Sequence, residues 1–253
     1  MQDLKVSTVQ THLYWEDKKE NLKMFDSLLK KWSEDTDLIL LPEMFTTGFS
    51  MKAEELYEEM NGECVAWMKQ VAMEKKCAIA GSMIIKEGTN YYNRLVFVNS
   101  DGALFTYDKR HLFSMGDEHK HFSPGNKQLI VEYKGWKLNL NVCYDLRFPR
   151  WLRNTKENSY DALIIVANWP EKRMQHWDAL LKARAIENQC YVIGVNRIGD
   201  DGNGIAHVGH TSVYHPFGTI EYISEQAEIH THVLSAHELK LNRRQFPFLN
   251  DMD

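Results

Sequence analysis

Leu138-Asn139-Leu140-Asn141-Val142 alternates apolar and polar side chains, beginning from Trp136-Lys137, and runs straight into Cys143-Tyr144-Asp145-Leu146-Arg147-Phe148-Pro149. A period of two marks a strand with one face toward a core. Charged residues follow at once, then a proline suited to the first turn of a helix. The segment therefore reads as strand, charged turn, and a helix starting near Pro149. That unit belongs to α/β proteins, whose reacting groups gather at the carboxyl ends of strands.

The same alternation of element types extends outward from this segment. Asp161 to Ala167 is a buried apolar strand, Gln175 to Gln189 a helix, and Tyr191 to Asn196 a further strand. Toward the N-terminus, Lys134-Gly135 forms a turn after the strand Gln128 to Tyr133, and a polar loop covers 108–127. Cys77 to Ile85, Asn90 to Asn99 and Ala103 to Tyr107 have strand character, the last two joined by Asp101-Gly102. Cys64, Trp67, Met68 and Val71 fall at i, i+3, i+4 and i+7 and describe a helix. Asp37 to Leu41 is a short apolar strand ending at Pro42-Glu43. Asp17 is a natural N-cap for a helix burying Leu22, Phe25, Leu28, Leu29 and Trp32, and Leu4 to Gln10 is a strand. The tail adds short strands around Pro216-Phe217-Gly218. No linker, repeat or low-complexity tract interrupts the order, so 1–253 is expected to be one α/β domain with mixed sheets and helices packed outside them.

Bulk composition narrows the partners. The net charge of −5 is spread along the 253 residues without a polybasic stretch, which argues against nucleic acid or an anionic membrane as a partner. The N-terminus lacks a charged segment followed by an apolar run, and the longest apolar runs, 38–41 and 162–167, are far short of a bilayer span. Four cysteines with no close pairs, at 64, 77, 143 and 190, make neither a disulfide framework nor a zinc ribbon. A cytoplasmic protein with reduced thiols is expected.

Three residues at strand ends stand out. Cys64, Cys77 and Cys190 fit as small buried filler, whereas Cys143 ends a strand at a charged turn. Glu43 lies just past an apolar strand, where an acid is rarely left without a partner or a role; a salt-bridged or loop-capping glutamate is the alternative. Lys109 follows another strand, in Tyr107-Asp108-Lys109-Arg110-His111, and taken alone would be a solvated loop charge. Residue by residue, a packed cysteine remains an open alternative for Cys143.

Taken together the chain resembles the nitrilase (carbon–nitrogen hydrolase) superfamily over essentially its whole length. That family carries a catalytic glutamate, lysine and cysteine in three motifs, matched in order by Leu41-Pro42-Glu43-Met44-Phe45, Asp108-Lys109-Arg110-His111-Leu112-Phe113 and Val142-Cys143-Tyr144-Asp145-Leu146-Arg147-Phe148-Pro149. A second glutamate of the family corresponds to Glu118, ahead of Pro124-Gly125. Asn168-Trp169-Pro170, Arg184-Ala185-Ile186-Glu187-Asn188 and Gly209-His210-Thr211-Ser212 also look like the family. Within it, Phe45-Thr46-Thr47-Gly48-Phe49-Ser50-Met51 is most similar to the omega-amidase branch, which hydrolyses the terminal amide of 2-oxo acids. The resemblance implies a four-layer α-β-β-α sandwich with two mixed central sheets, a homodimer or larger homo-oligomer, and a small-molecule amide substrate.

The implied roles answer the demands of amide hydrolysis. A thiol near pKa ~8.5 needs a base, which Glu43 supplies. Lys109 balances the negative charge whichever of the two acids holds it, and with the backbone N–H of Tyr144 it can hold the oxyanion. Glu118 would orient Lys109 or a water. Phe45 and Trp169 are candidate pocket walls, although large aromatics after strands more often pack in a core. No cofactor or metal is expected: among the 11 histidines, Glu118-His119-Lys120-His121 and the pair His207 and His210 lack strong ligand spacing. A nitrile or carbamoyl hydrolase using the same three residues is the neighbouring alternative. A catalytically silent binding protein is the more distant one.

Overall fold

The computed structural model describes residues 1–251. Two six-stranded sheets lie face to face. Sheet one holds β1 (Leu4–Gln10), β2 (Leu38–Leu40), β3 (Ala78–Glu87), β4 (Asn90–Val98), β5 (Leu104–Asp108) and β12 (Glu228–Leu234), in the order β12-β1-β2-β3-β4-β5. Sheet two holds β6 (Ile130–Tyr133), β7 (Trp136–Val142), β8 (Ala162–Val166), β9 (Tyr191–Val195), β10 (Thr211–Tyr214) and β11 (Ile220–Ser224), in the order β11-β10-β9-β8-β7-β6. Each sheet has three parallel strands at its heart, β1-β2-β3 and β7-β8-β9, with antiparallel strands on both sides. The halves thus repeat one pattern, and both sheets are mixed, as expected.

Parallel strands covered on both faces read as continuous apolar runs, and the burial shows why. Leu38 and Leu40 of β2 face Ile164, Val166 and their neighbours of β8 in the core between the sheets. Ile39 and Leu41 point the other way, onto α1 (Lys18–Lys31) and α3 (Glu63–Lys75), with Phe25, Leu29, Val65 and Met68. Leu163 and Ile165 do the same on the second sheet, against Trp177, Leu181 and Ala185 of α5 (Met174–Asn188). Helix, sheet, sheet and helix form the four layers. Two short helices, α2 (Ala53–Leu56) and α4 (Glu118–His121), sit in loops. The expected cap of α1 is present: Asp17 Oδ1 accepts the Glu20 N–H at 3.1 Å.

The structure departs from the sequence reading in two places. No helix starts near Pro149; the chain makes a 3-10 turn over Cys143–Arg147 and then runs irregularly to β8. Pro149 alone suggests a helix start. The Asn154 side chain, however, bonds both the N–H and the carbonyl of Tyr160 and fixes a loop instead. In the tail, α6 (Ala236–Gln245) follows β12, capped by Ser235, whose Oγ accepts the Glu238 N–H at 3.3 Å. Its buried residues are only Ala236, Leu239 and Asn242, too few to give a visible apolar stripe. No helix among the described residues is long and apolar enough to cross a membrane.

Candidate active site

β2, β5 and β7 end at the same rim of the sandwich and deliver Glu43, Lys109 and Cys143 to one cavity of about 470 Å³. The turn after each strand is fixed by its own device. Cys143 takes a left-handed backbone, φ 44°, and Met44, next to Glu43, has φ 41°. Such conformations cost a non-glycine residue about 1–3 kcal/mol and persist only where surroundings enforce them. Ser82 does so for Met44, with Oγ accepting the Met44 N–H at 2.9 Å and its carbonyl accepting the Phe45 N–H at 3.0 Å. The Lys109 turn is closed by Gly125, whose N–H reaches the Lys109 carbonyl at 3.0 Å. A Cβ at Gly125 would lie 2.1 Å from the Asp108 carbonyl oxygen, so only glycine fits.

Glu43, Lys109 and Glu118 are all buried in one charged cluster. Lys109 Nζ lies 2.8 Å from Glu43 Oε1 and 3.0 and 2.9 Å from the two oxygens of Glu118. Asn93 Nδ2 bridges the same carboxylates, donating to Glu43 Oε1 at 2.8 Å and Glu118 Oε1 at 3.0 Å. The Phe113 N–H holds Glu118 Oε2 at 2.6 Å, and the Asn168 N–H holds Glu43 Oε2 at 2.8 Å. Asn168 lies two residues past the end of β8, so the loops after the central strands of the two sheets meet at Glu43. One proton of the ammonium directed at each carboxylate leaves a third for the cavity, which Lys109 also lines.

The charge balance decides where the proton rests. Burial alone would discharge Lys109, but Glu118 and then Glu43 outweigh it and hold the ammonium firmly protonated. Burial pushes the Glu118 carboxyl up; Lys109 opposes that and Glu43 adds to it. At Cys143, burial and the Glu43 charge push the thiol well above its usual value, against the pull of Lys109. The raised thiol keeps its proton, and Glu43 is the neighbouring group of the cavity that could accept it. Cys77 and Cys190 are pushed up to about 12 by burial without such a base, and Cys64 is raised by burial as well. Among the four cysteines, the Cys143 thiol is the one that opens onto the cavity.

A second carboxylate, Asp145, sits beneath the nucleophile turn with no exposed surface. Its Oδ2 accepts the Tyr107 hydroxyl at 2.8 Å and the Val142 N–H at 3.1 Å; its Oδ1 faces the His111 N–H at 2.9 Å and His111 Nδ1 at 2.8 Å. Tyr107 in turn accepts Trp151 Nε1–H at 3.0 Å, and His111 stacks on Phe148 at 3.7 Å. Asp145 thereby ties the Lys109 loop to the Cys143 turn.

Two pocket expectations separate here. Trp169 lines the cavity. Phe45 does not: it is fully buried among Phe25 and Trp67 on the helical side of sheet one, with ring centroids 5.6 and 5.9 Å away. The residue that walls the cavity is Phe49, one helical turn's worth of sequence later, whose ring lies 5.1 Å from Lys109 Nζ. Tyr144 lines the cavity at the start of the turn after Cys143. His119 and His121 are exposed residues of α4, and no group of three possible ligands among the described residues could hold a metal ion. The sequence reading missed Asn93, Asp145, Tyr107 and two cavity arginines, Arg147 and Arg173.

Residues 5–237 match the family model for carbon–nitrogen hydrolases. The chain belongs to the carbon–nitrogen hydrolase family. As a carbon–nitrogen hydrolase it is 44% identical to omega-amidase YafV of Escherichia coli strain K12 over 255 residues, covering 100% of this chain and 98% of the relative. It is 34% identical to the 2-oxoglutaramate amidase of Bacillus subtilis over 218 residues, covering 85% and 84% of the two chains. Among solved structures it is similar to a carbon–nitrogen hydrolase superfamily protein from Xanthomonas campestris that carries an arsenic adduct in its active site. The TM-score is 0.97 at 42% identity, covering 100% of this chain and 98% of the other.

Proposed function

We propose that this hydrolase cleaves the omega-amide of a small 2-oxo acid, such as 2-oxoglutaramate, to the acid and ammonia, with Cys143 as nucleophile, Glu43 as general base and acid, and Lys109 as electrostatic support. The observation that carries this reading is a thiol lining the same cavity as a buried carboxylate and a buried ammonium that lie 2.8 Å apart. The substrate follows from the similarity to an omega-amidase and a 2-oxoglutaramate amidase.

The cycle begins as the Cys143 proton passes to Glu43 and sulfur attacks the amide carbon. Negative charge grows on the former carbonyl oxygen and is met by the free Lys109 proton and the Tyr144 backbone N–H; one such donor is worth roughly 3–4 kcal/mol of barrier. Glu43 hands its proton to the departing nitrogen, and ammonia leaves a thioester on Cys143. Glu43 then takes a proton from water, which attacks the thioester, and the sulfur leaves and is reprotonated. Because Lys109 stays charged throughout, the proton moves between sulfur and carboxyl without changing the net charge of the site. Glu118 holds Lys109 in place and offsets its charge when Glu43 is protonated.

We take the chain to act as one hydrolase domain, since residues of both sheets share the inter-sheet core. Four unpaired thiols suit the cytoplasm. A homodimer or larger assembly would cover the exposed Ile186, Phe217 and Phe246. The deciding experiment compares ammonia release from 2-oxoglutaramate, glutamine, simple aliphatic amides, a nitrile and a carbamoyl compound. Strong preference for 2-oxoglutaramate is expected; preference for the nitrile or the carbamoyl compound would replace this reading with the neighbouring one.

A further inference from the structure

Arginines with buried or half-buried guanidiniums in this protein are, with two exceptions, matched by acceptors. Arg94 pairs with Asp108 at 2.6 Å and with Glu87 at 2.6 Å, Arg184 with Glu187 at 2.9 Å, and Arg243 with Asp161 at 2.8 Å. Arg197 donates to the carbonyls of Ile198 and Asp200 at 3.2 and 2.9 Å. The exceptions are Arg147, the last residue of the nucleophile turn, and Arg173, just before α5. Both are half-buried, both line the cavity that holds Cys143, and neither has a carboxylate partner among the described residues.

Both guanidiniums are held instead by flat aromatic faces. Arg147 Cζ lies 4.9 Å from the Trp169 ring centroid, and Arg173 Cζ lies 5.1 Å from that of Phe113. The one polar side-chain contact of Arg147 is a 3.0 Å approach of Nη2 to His176 Nδ1. Stacking of this kind fixes the orientation of a planar fork while leaving N–H groups free. The two cations also work against each other: burial and then Arg147 lower the pKa of Arg173, while a negative charge at Cys143 would favour its cationic form. Three acids line the same cavity, but Glu43 is held by Lys109 at 2.8 Å, Asp201 Oδ1 is taken by the N–H groups of Asn203 and Ile205 at 2.8 and 3.0 Å, and Glu171 is exposed. A pair of like charges kept beside a nucleophile and left without an anion is an anion site awaiting its ligand.

We propose that Arg147 and Arg173 form the carboxylate subsite of the cavity and that this pair of fixed cations selects the amide of a 2-oxo acid over the amide of the matching amino acid. The proposal rests on the amidase reading above and adds the basis of substrate choice. A 2-oxo carboxylate presents one negative charge and a second oxygen acceptor beside it, both suited to guanidinium N–H donors. An α-amino acid replaces that acceptor with an ammonium, which two guanidiniums repel. A carboxylate held by the arginines anchors the substrate in the cavity that Cys143 lines.

The test uses the full chain and the variants Arg173→Gln and Arg147→Gln, with kcat and KM measured on 2-oxoglutaramate, glutamine and pentanamide. In each variant kcat/KM for 2-oxoglutaramate is expected to fall at least about 30-fold more than for pentanamide, mainly through KM, and the preference over glutamine is expected to shrink. In parallel, 2-oxoglutarate is tested as a protectant of Cys143 against iodoacetamide, the unprotected alkylation rate reporting that the pocket is intact. Protection should be strong in the parent and lost in both variants. Unchanged KM and unchanged protection in both variants would overturn the subsite, as would equal losses on the charged and the neutral amide. The two readings fail separately. If the parent does not hydrolyse 2-oxoglutaramate, the substrate assignment falls, while protection that disappears with the arginines still upholds the subsite.

Discussion

Glu43 and Asp145 are both carboxylates without exposed surface, set a few residues from strand ends at the same rim, yet their surroundings differ in kind. Asp145 meets only N–H and O–H donors, from Tyr107, His111 and Val142, and its bonds tie two loops together. Glu43 shares one ammonium with a second carboxylate and faces a thiol that can give up its proton. A fully satisfied charge positions the chain; an unbalanced cluster keeps a proton ready to move. Burial alone would not distinguish the two, because both acids are covered. The composition of the partner set does.

Substitution should separate the two regions. The largest effect is expected for Glu43→Gln, which removes the base and leaves Lys109 paired with Glu118. Turnover should drop roughly 10²–10⁴-fold, while unfolding by urea should show a change below about 1 kcal/mol, since the ammonium keeps one counter-ion. Asp145→Asn should do the opposite. Its amide brings donors to a site that holds donors, and about 3–4 kcal/mol of stability should be lost in the same urea titration. A stable Asp145→Asn protein, or a severely destabilised Glu43→Gln protein, would erase the distinction.

A smaller effect concerns His207, which lines the cavity and whose Nδ1 is buried without a partner. Burial and the nearby Arg197 lower its pKa from 6.5 to about 4, with Asp201 opposing. A group with a depressed pKa is protonated sooner in the unfolded chain. Stability is therefore full above pH 6.5 and is lost as the pH falls toward 4, by up to about 3 kcal/mol from this one residue. His207→Asn should flatten that part of the stability profile measured by urea unfolding between those pH values. The smallest effect separates two phenylalanines. Phe45→Leu should cost about 1 kcal/mol of stability and leave kcat/KM nearly untouched, whereas Phe49→Leu should change KM and spare stability; paired melting and kinetic assays distinguish them.

Much of this was legible in the sequence because the period of apolar residues reports burial directly. β7, β8 and β9 and helices α1, α3 and α5 announced themselves by alternation or by helical spacing. What failed did so for local reasons. Pro149 looked like a helix start, but the Asn154 side chain bound the backbone, and α6 buries too little to show a stripe. At the site, residues at strand ends in the family's motif order singled out Glu43, Lys109 and Cys143, which the fold gathers at one rim. Asn93 was hidden inside a strand, and its one signal was a buried polar residue among apolar ones. Phe45 and Phe49 could not be told apart, since the turn at Met44 and the positive φ of 72° at Gly48 set which ring faces the cavity. That Arg147 and Arg173 have no carboxylate partner among the described residues is a property of space, not of spacing.

The most direct test of the central claim is the mass of the enzyme caught during turnover. With a slowly hydrolysed amide, intact-mass and peptide analysis should find the acyl group, less ammonia, on Cys143 and on no other residue. An adduct on Cys64, Cys77 or Cys190, or undiminished ammonia release by Cys143→Ala, would contradict the account.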